Sequence, residues 1–193
     1  KDPTQRLQRL VPKELAERLR ATRGQVSQER RTVTILFSDV KGSTAMAETL
    51  DPEDVLEIMD RAFDVLIQPV YRYEGTLARL MGDAVLAFFG APIAHEDDPE
   101  RAVRAALEMQ SVAQTVASHA RGGPALRLRI GIESGEVLVD RARAADERDL
   151  FVTGDAVNTA SRLQSAAEPG TVVVGPGTGS ARRKCRASSS WQK

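Results

Sequence analysis

TLARLMGDAVLAFF, residues Thr76–Phe89, is the stretch on which the fold turns. Two apolar runs, Thr76–Met81 and Ala84–Phe89, are separated only by Gly82 and Asp83. That pattern predicts a tight β-hairpin with Gly82-Asp83 at its tip. Helical patterns lie on both sides. Upstream, Asp51-Pro52-Glu53 supplies an N-cap followed by proline at the first helical position. Behind it Val55, Ile58, Met59, Ala62, Phe63, Leu66, Ile67 and Val70 recur at helical spacing; Pro69 predicts a kink and Glu74-Gly75 the end. Downstream, Asp98-Pro99-Glu100 opens a second helix, with Ala102, Val103, Ala106, Leu107, Ala113 and Val116 expected in the core.

Further out, Thr32–Ser38 is β-branched and apolar and reads as a central strand. Leu126–Ile132 alternates Leu and Ile with Arg and Gly, a strand with one wet face, and Glu136–Val139 reads as another strand after Ser134-Gly135. Arg141–Asp149 reads as a polar loop, Gly154-Asp155 as the opening of a helix through about Ala167, and Thr171–Val174 as a last short strand. The order is β-α-(α)-β-β-α-β-β-α-β. A hairpin between two long helices argues for an α+β fold: a ferredoxin-like, palm-type, mostly antiparallel sheet with helices packed on it. A doubly wound sheet is disfavoured, and neither a G-x-G-x-x-G nor a Walker A motif is present.

The 193 residues carry 27 Lys+Arg and 27 Asp+Glu, so the net charge is zero. That balance is uneven along the chain. Residues 1–31 hold nine bases and four acids, residues 182–193 five bases and no acid, and residues 32–180 thirteen bases and 23 acids. The acidic body argues against a nucleic-acid face, which needs a basic stripe. A single cysteine, Cys185, excludes an internal disulfide framework. No apolar run approaches the ~20 residues that span a bilayer, and Lys1–Arg31 has no apolar signal region. A cytoplasmic location is expected, and the start at Lys1 suggests part of a longer protein. The division expected is a helical linker over 1–30, a catalytic domain over 31–175 and a basic, disordered tail over 176–193. His95 and His119 read as structural.

Asp39 ends the central strand and Asp83 sits at the hairpin tip. Carboxylates at strand ends can converge on divalent cations, a pairing suited to phosphoryl and nucleotidyl transfer; taken singly, each is equally well a capping or turn residue. Gly42-Ser43-Thr44 lies between Asp39 and a helix expected near Ala45, where backbone N–H groups can meet a phosphate. Asn158 and Arg162 are four apart, hence on one helix face, suited to a sugar oxygen and a transferring phosphoryl group or simply to solvent.

Together these blocks resemble the class III adenylate/guanylate cyclase catalytic domain, in the form found in bacterial multidomain proteins. The resemblance rests on FSDVKGST (Phe37–Thr44), MGDAVLAFFG (Met81–Gly90), APIAHEDD (Ala91–Asp98), RIGIESGEV (Arg129–Val137) and GDAVNTASRL (Gly154–Leu163), in the family's order. It implies a lyase that converts ATP to 3′,5′-cyclic AMP and pyrophosphate in a homodimer with active sites at the subunit interface. Asp39, Asp83 and the Val40 carbonyl would hold two Mg²⁺ or Mn²⁺ ions, and Gly42, Ser43 and Thr44 would cover the triphosphate. Asn158 would orient the ribose and Arg162 would act at the α-phosphate, both from the opposite subunit. Arg79 and Phe151 stand at the base-selecting positions, where family adenylate cyclases usually have Lys and Asp or Thr. Arg79 can donate to adenine N1 or to guanine O6, which leaves a guanylate cyclase open. Glu136 stands where an arginine that meets the phosphates was sought, and residues 175–193 do not read as the family's C-terminal hairpin with its late lysine. A degenerate domain that binds nucleotide or dimerises with little turnover is the alternative, and a polymerase-palm or diguanylate-type nucleotidyltransferase is a third reading, disfavoured by Asn158 and Arg162.

Overall fold

The computed structural model of the chain describes residues 17, 28–42, 48, 50–119, 126–140 and 151–180. The elements run β1 (Gln28–Lys41), α1 (Pro52–Leu66), α2 (Gln68–Arg72), β2 (Thr76–Met81), β3 (Ala84–Phe89), α3 (Asp98–His119), β4 (Arg127–Asp140), β5 (Phe151–Thr153), α4 (Asp155–Ala166) and β6 (Thr171–Val174). The strands form one sheet in the order β2-β3-β1-β4-β5, with β6 also on β4. All pairings are antiparallel except β4 with β6. Among the described residues no helix is long and apolar enough to cross a membrane.

Period-2 alternation sorts β1 and β4 onto two faces. Leu36 and Val40 of β1 and Leu128, Ile130 and Ile132 of β4 pack with Met59, Phe63 and Leu66 of α1, Val70 and Tyr71 of α2 and Ala102, Ala106 and Met109 of α3. Val33, Ile35, Phe88, Val137 and Val139 face the other way and meet Ala156 and Ala160 of α4. The larger core is therefore on the three-helix side, and α4 alone covers its part of the opposite face.

The hairpin forms as the sequence predicts, with Gly82 at φ 63° in its turn. Pro52 starts α1 behind Asp51. Pro69 does more than kink the helix: α1 stops at Leu66, and Gln68–Arg72 restarts as α2 with proline in its first turn. Glu74, at φ 60°, then reverses the chain, and the Gly75 N–H donates to Val70 O at 2.8 Å.

Several expectations change. Leu126–Ile132 and Glu136–Val139 belong to one strand, β4, which pairs with β1 from Gln28↔Asp140 to Lys41↔Arg127. Ser134-Gly135 does not interrupt it, because the Ser134 hydroxyl bonds Thr34 Oγ1 at 2.7 Å and Gly135 makes room for Ala156. The fourth and fifth strands expected thus merge, and β5, three residues on the far edge of β4, takes the vacant place in the order. On the face of β4 expected to be wet, Arg127 is exposed and Arg129 half-buried, but Gly131 is covered by α4. A Cβ on Gly131 would lie 2.3 Å from Ala160 O and from Gln164 N, so glycine is needed for this close approach. In α3, Leu107 is 58% exposed while Ala105 and Met109 are buried.

The domain also extends past residue 175. Residues 176–180 are helical, and Thr178 is fully buried, its hydroxyl 2.9 Å from Ser134 Oγ. This turn continues along the β4 edge beyond β6, starting from the Gly175 N–H bond to Ile132 O. Residues 28–30, expected in the linker, belong to β1; residues 181–193, the helix expected in 1–30 apart from Glu17, which is helical, and the helix start near Ala45 lie outside the described residues.

Candidate active site

Asp39 is the residue of β1 at which three strands meet. Its register partners are Ala84 at the start of β3 and Arg129 on β4. Asp83 immediately precedes Ala84, and its carbonyl accepts the Val40 N–H at 3.0 Å. Strand pairing therefore brings the two acids, 44 positions apart in sequence, to one end of the sheet. Asp39 is only 9% exposed, and cations surround its carboxylate. Arg129 donates to Oδ2 from Nη2 at 2.6 Å and from Nε at 3.2 Å, and Lys41 Nζ is 3.2 Å from the same oxygen. The Arg129 Nη1 group also reaches Ser165 O near the end of α4, at 3.4 Å.

This surplus of positive charge tests the fit to a metal. A buried carboxylate is stable only with compensating charge, and in this state Arg129 and Lys41 supply it. Asp39, Asp83 and a neighbouring backbone carbonyl at Val40 are hard oxygen donors of the kind Mg²⁺ and Mn²⁺ take. The residues present fit such ions, with the cationic side chains standing where metal charge would act. Among the described residues no group of three or more His, Cys, Asp or Glu is placed to hold a metal ion, so any further ligands would have to be of another kind.

The other predicted residues fall as follows. Gly42 follows β1 at φ 107°, a left-handed conformation that favours glycine; Ser43 and Thr44 lie outside the described residues. Arg79 is exposed on β2, just past a register irregularity between Leu77 and Arg79. Phe151 begins β5, paired with Asp140. Asn158 and Arg162 are exposed on α4, while Ala156, Ala160 and Gln164 hold its inner face against the sheet. Glu136, where an arginine was sought, pairs with Thr32, well along β4 from the Asp39 end, and lies 3.9 Å from Arg30. The arginine near the acids is instead Arg129. Sequence reading passed over it, because nothing local distinguishes it from a surface arginine; the signal was its cross-strand register with Asp39.

A second polar feature escaped the sequence reading. Glu133 is 5% exposed, and backbone N–H groups of Gly177, Ser134 and Thr178 donate to its carboxylate, leaving Oε2 without a partner among the described residues. Burial pushes its pKa up against those bonds. Cβ atoms on Gly175 and Gly177 would lie 1.5 Å and 2.1 Å from its oxygens, so the C-terminal turn is shaped around this side chain.

Comparison with known proteins agrees with this architecture. Residues 25–190 match the Adenylate and Guanylate cyclase catalytic domain, and the chain belongs to that family. It is 33% identical over 151 residues to Adenylate cyclase 1 of Rhizobium meliloti (strain 1021), covering 77% of this chain but 23% of that protein. The chain thus spans about a quarter of that relative's length. Among solved structures it resembles the guanylyl cyclase Cya2, with a TM-score of 0.76 and 33% identity over 81% of each chain. It also resembles the adenylyl cyclase CyaB from P. aeruginosa, with a TM-score of 0.75 and 30% identity, covering 82% of this chain and 84% of that one.

Proposed function

We propose that the chain is the catalytic domain of a cytoplasmic, homodimeric adenylate cyclase that converts ATP to 3′,5′-cyclic AMP and pyrophosphate. The observation that carries this reading is the convergence of Asp39 and Asp83 at one sheet end, held by the Val40–Asp83 bond. Asp39, Asp83 and the Val40 carbonyl would hold the Mg²⁺ or Mn²⁺ ions, which would supply a lowered pKa at the ribose 3′-hydroxyl and neutralisation of triphosphate charge.

The remaining work is placement and electrostatics. Gly42, Ser43 and Thr44 present backbone N–H groups to the triphosphate. Arg129, which donates to Asp39 in this state, places a guanidinium beside the two acids, where it would suit phosphate oxygens. Asn158 of a partner subunit orients the ribose, and Arg162 of the same helix meets charge growing at the α-phosphate. The 3′-oxygen attacks the α-phosphorus in line. The bond to the β-phosphate oxygen breaks, pyrophosphate leaves, and the 3′-hydroxyl proton passes to solvent. Exposure of Asn158 and Arg162 on the outer face of α4 supports action on a second chain.

Arg79 and Phe151 select the base. ATP is favoured by the adenylate cyclase relative. A guanylate reading rests on Arg79, whose guanidinium suits guanine O6, and on the likeness to a guanylyl cyclase. The test incubates the chain at high concentration with Mn²⁺ and either ATP or GTP and measures cyclic product, with Asp39→Ala alongside. Cyclic AMP from wild type only is expected. No product from either nucleotide would leave the degenerate reading, and a preference for GTP would replace the adenylate assignment.

A further inference from the structure

The hairpin that carries Arg79 and Asp83 is closed at its base by a second polar cluster. Glu74 directly precedes Gly75 and β2, and the chain leaving β3 runs through Gly90 to His95 and Asp98. His95 joins the two sides. Its Nε2 lies 2.8 Å from Glu74 Oε2, its Nδ1 3.2 Å from Asp98 Oδ1, and its backbone N–H donates to Asp98 Oδ2 at 2.7 Å. Asp98 packs against the end of β3, since a Cβ on Gly90 would lie 3.0 Å from Oδ2. Gly75 packs under the Phe89 ring, where a Cβ would meet ring atoms at 2.7 Å. Glu74 and Gly90 both have positive φ, so both exits of the hairpin are sharp and fixed.

The protons decide whether this arrangement holds. A neutral imidazole has one N–H and one lone pair, so it donates to only one of two flanking carboxylates. Both contacts form together only if the imidazole is charged or one of the two carboxylates carries the proton. Burial of Asp98 pushes its pKa up, against the bonds from His95, which favours keeping that extra proton within the cluster. Once it is lost, one ring nitrogen turns a lone pair to the carboxylate it faces. Other charges face the group: Asp97 and its partner Arg101 of α3, 2.7 Å apart. Arg31 of β1 donates to Pro92 O at 2.9 Å in the same loop and is paired with Glu29. The register irregularity between Leu77 and Arg79 is where β2 can absorb a shift of its base, moving Arg79 and the tip beyond it.

We propose that Glu74, His95 and Asp98 form a proton-dependent clasp at the base of the β2–β3 hairpin, and that His95 is a positioning residue for Arg79 and Asp83 at its far end. The role in turnover rests on the cyclase reading; the clasp does not. The test measures amide hydrogen exchange of residues 76–89, corrected for intrinsic rate, between pH 5.5 and 8.5 in the full chain without nucleotide. Wild type, His95→Gln and Asp98→Asn are compared, with β1 and β4 amides as the folding control. In wild type, hairpin protection should fall about ten-fold relative to β1 and β4 between pH 5.5 and pH 8.5, as the cluster gives up its extra proton. His95→Gln, which has no second ring nitrogen to share a proton with Asp98, should show no such step, and its kcat should fall about ten-fold with a flattened pH profile. A pH-independent hairpin in wild type, or the same step in His95→Gln, overturns the clasp. An exchange step that His95→Gln removes, in a wild type that makes no cyclic product, supports the clasp and overturns the cyclase reading instead.

Discussion

Asp39 has two electrostatic partners where a metal centre would have none to spare. Arg129 and Lys41 satisfy its charge in this state, and Asp39→Ala removes both the proposed metal ligand and the acid of that ion pair. Turnover should fall at least about a hundredfold, while the melting temperature moves by no more than about 2–4 °C. Unaltered turnover would refute the assignment of Asp39 as a metal ligand. Gly131 makes the opposite case. A methyl group there meets backbone atoms of Ala160 and Gln164, and a helix backbone cannot rotate aside as a side-chain tip can. Gly131→Ala should cost about 1–3 kcal/mol in denaturant unfolding; an unshifted midpoint would mean that α4 rides less tightly on β4. Both acids were legible in the sequence, because a strand end and a hairpin tip announce themselves locally. Arg129 was not, since its importance depends on a residue 90 positions away.

Among the elements, local signals fared well and long-range ones poorly. Asp-Pro-Glu marked the starts of α1 and α3 because a proline fits only the first turn of a helix; Asp51 makes no side-chain cap bond, and Asp98 is itself the first residue of α3. Strand β5 has three residues and exists through its pairing with β4, so no periodicity reports it. Gly175-Pro-Gly-Thr-Gly179 reads as flexible on composition alone, yet Glu133 organises it. That turn has a pH signature. The native pKa of Glu133 is raised above its ordinary 4.5, so the folded chain holds that proton longer than the unfolded chain does. Its contribution to stability is complete below about 4.5 and is lost as pH rises through the higher native value. Thermal melts from pH 4 to 7 should therefore show Glu133→Gln gaining on wild type as pH increases. A constant difference between the two would show that the carboxylate is not buried as described.

At the scale of the whole molecule, the proposed sites are shared between chains, each supplying acids to one and the α4 residues to the other. Asp39→Ala and Arg162→Ala should each be inactive alone. Mixed in equal amounts, they should recover about a quarter of wild-type activity, because half the dimers are mixed and each holds one intact site. No recovery after subunit exchange would contradict shared sites. The seating of β1 has a different kind of consequence, in the order of events during synthesis. This strand leaves the ribosome before both of its neighbours, with two edges of unpaired N–H and C=O groups to satisfy. Its β3 neighbour follows after some fifty residues, but its β4 partner lies roughly a hundred residues downstream. At about 5–20 residues per second, the central strand waits about 5–20 s for its second edge to be covered. For that interval, the nascent chain exposes the surface on which its finished sheet depends, and it is then that aggregation and chaperone capture compete with folding.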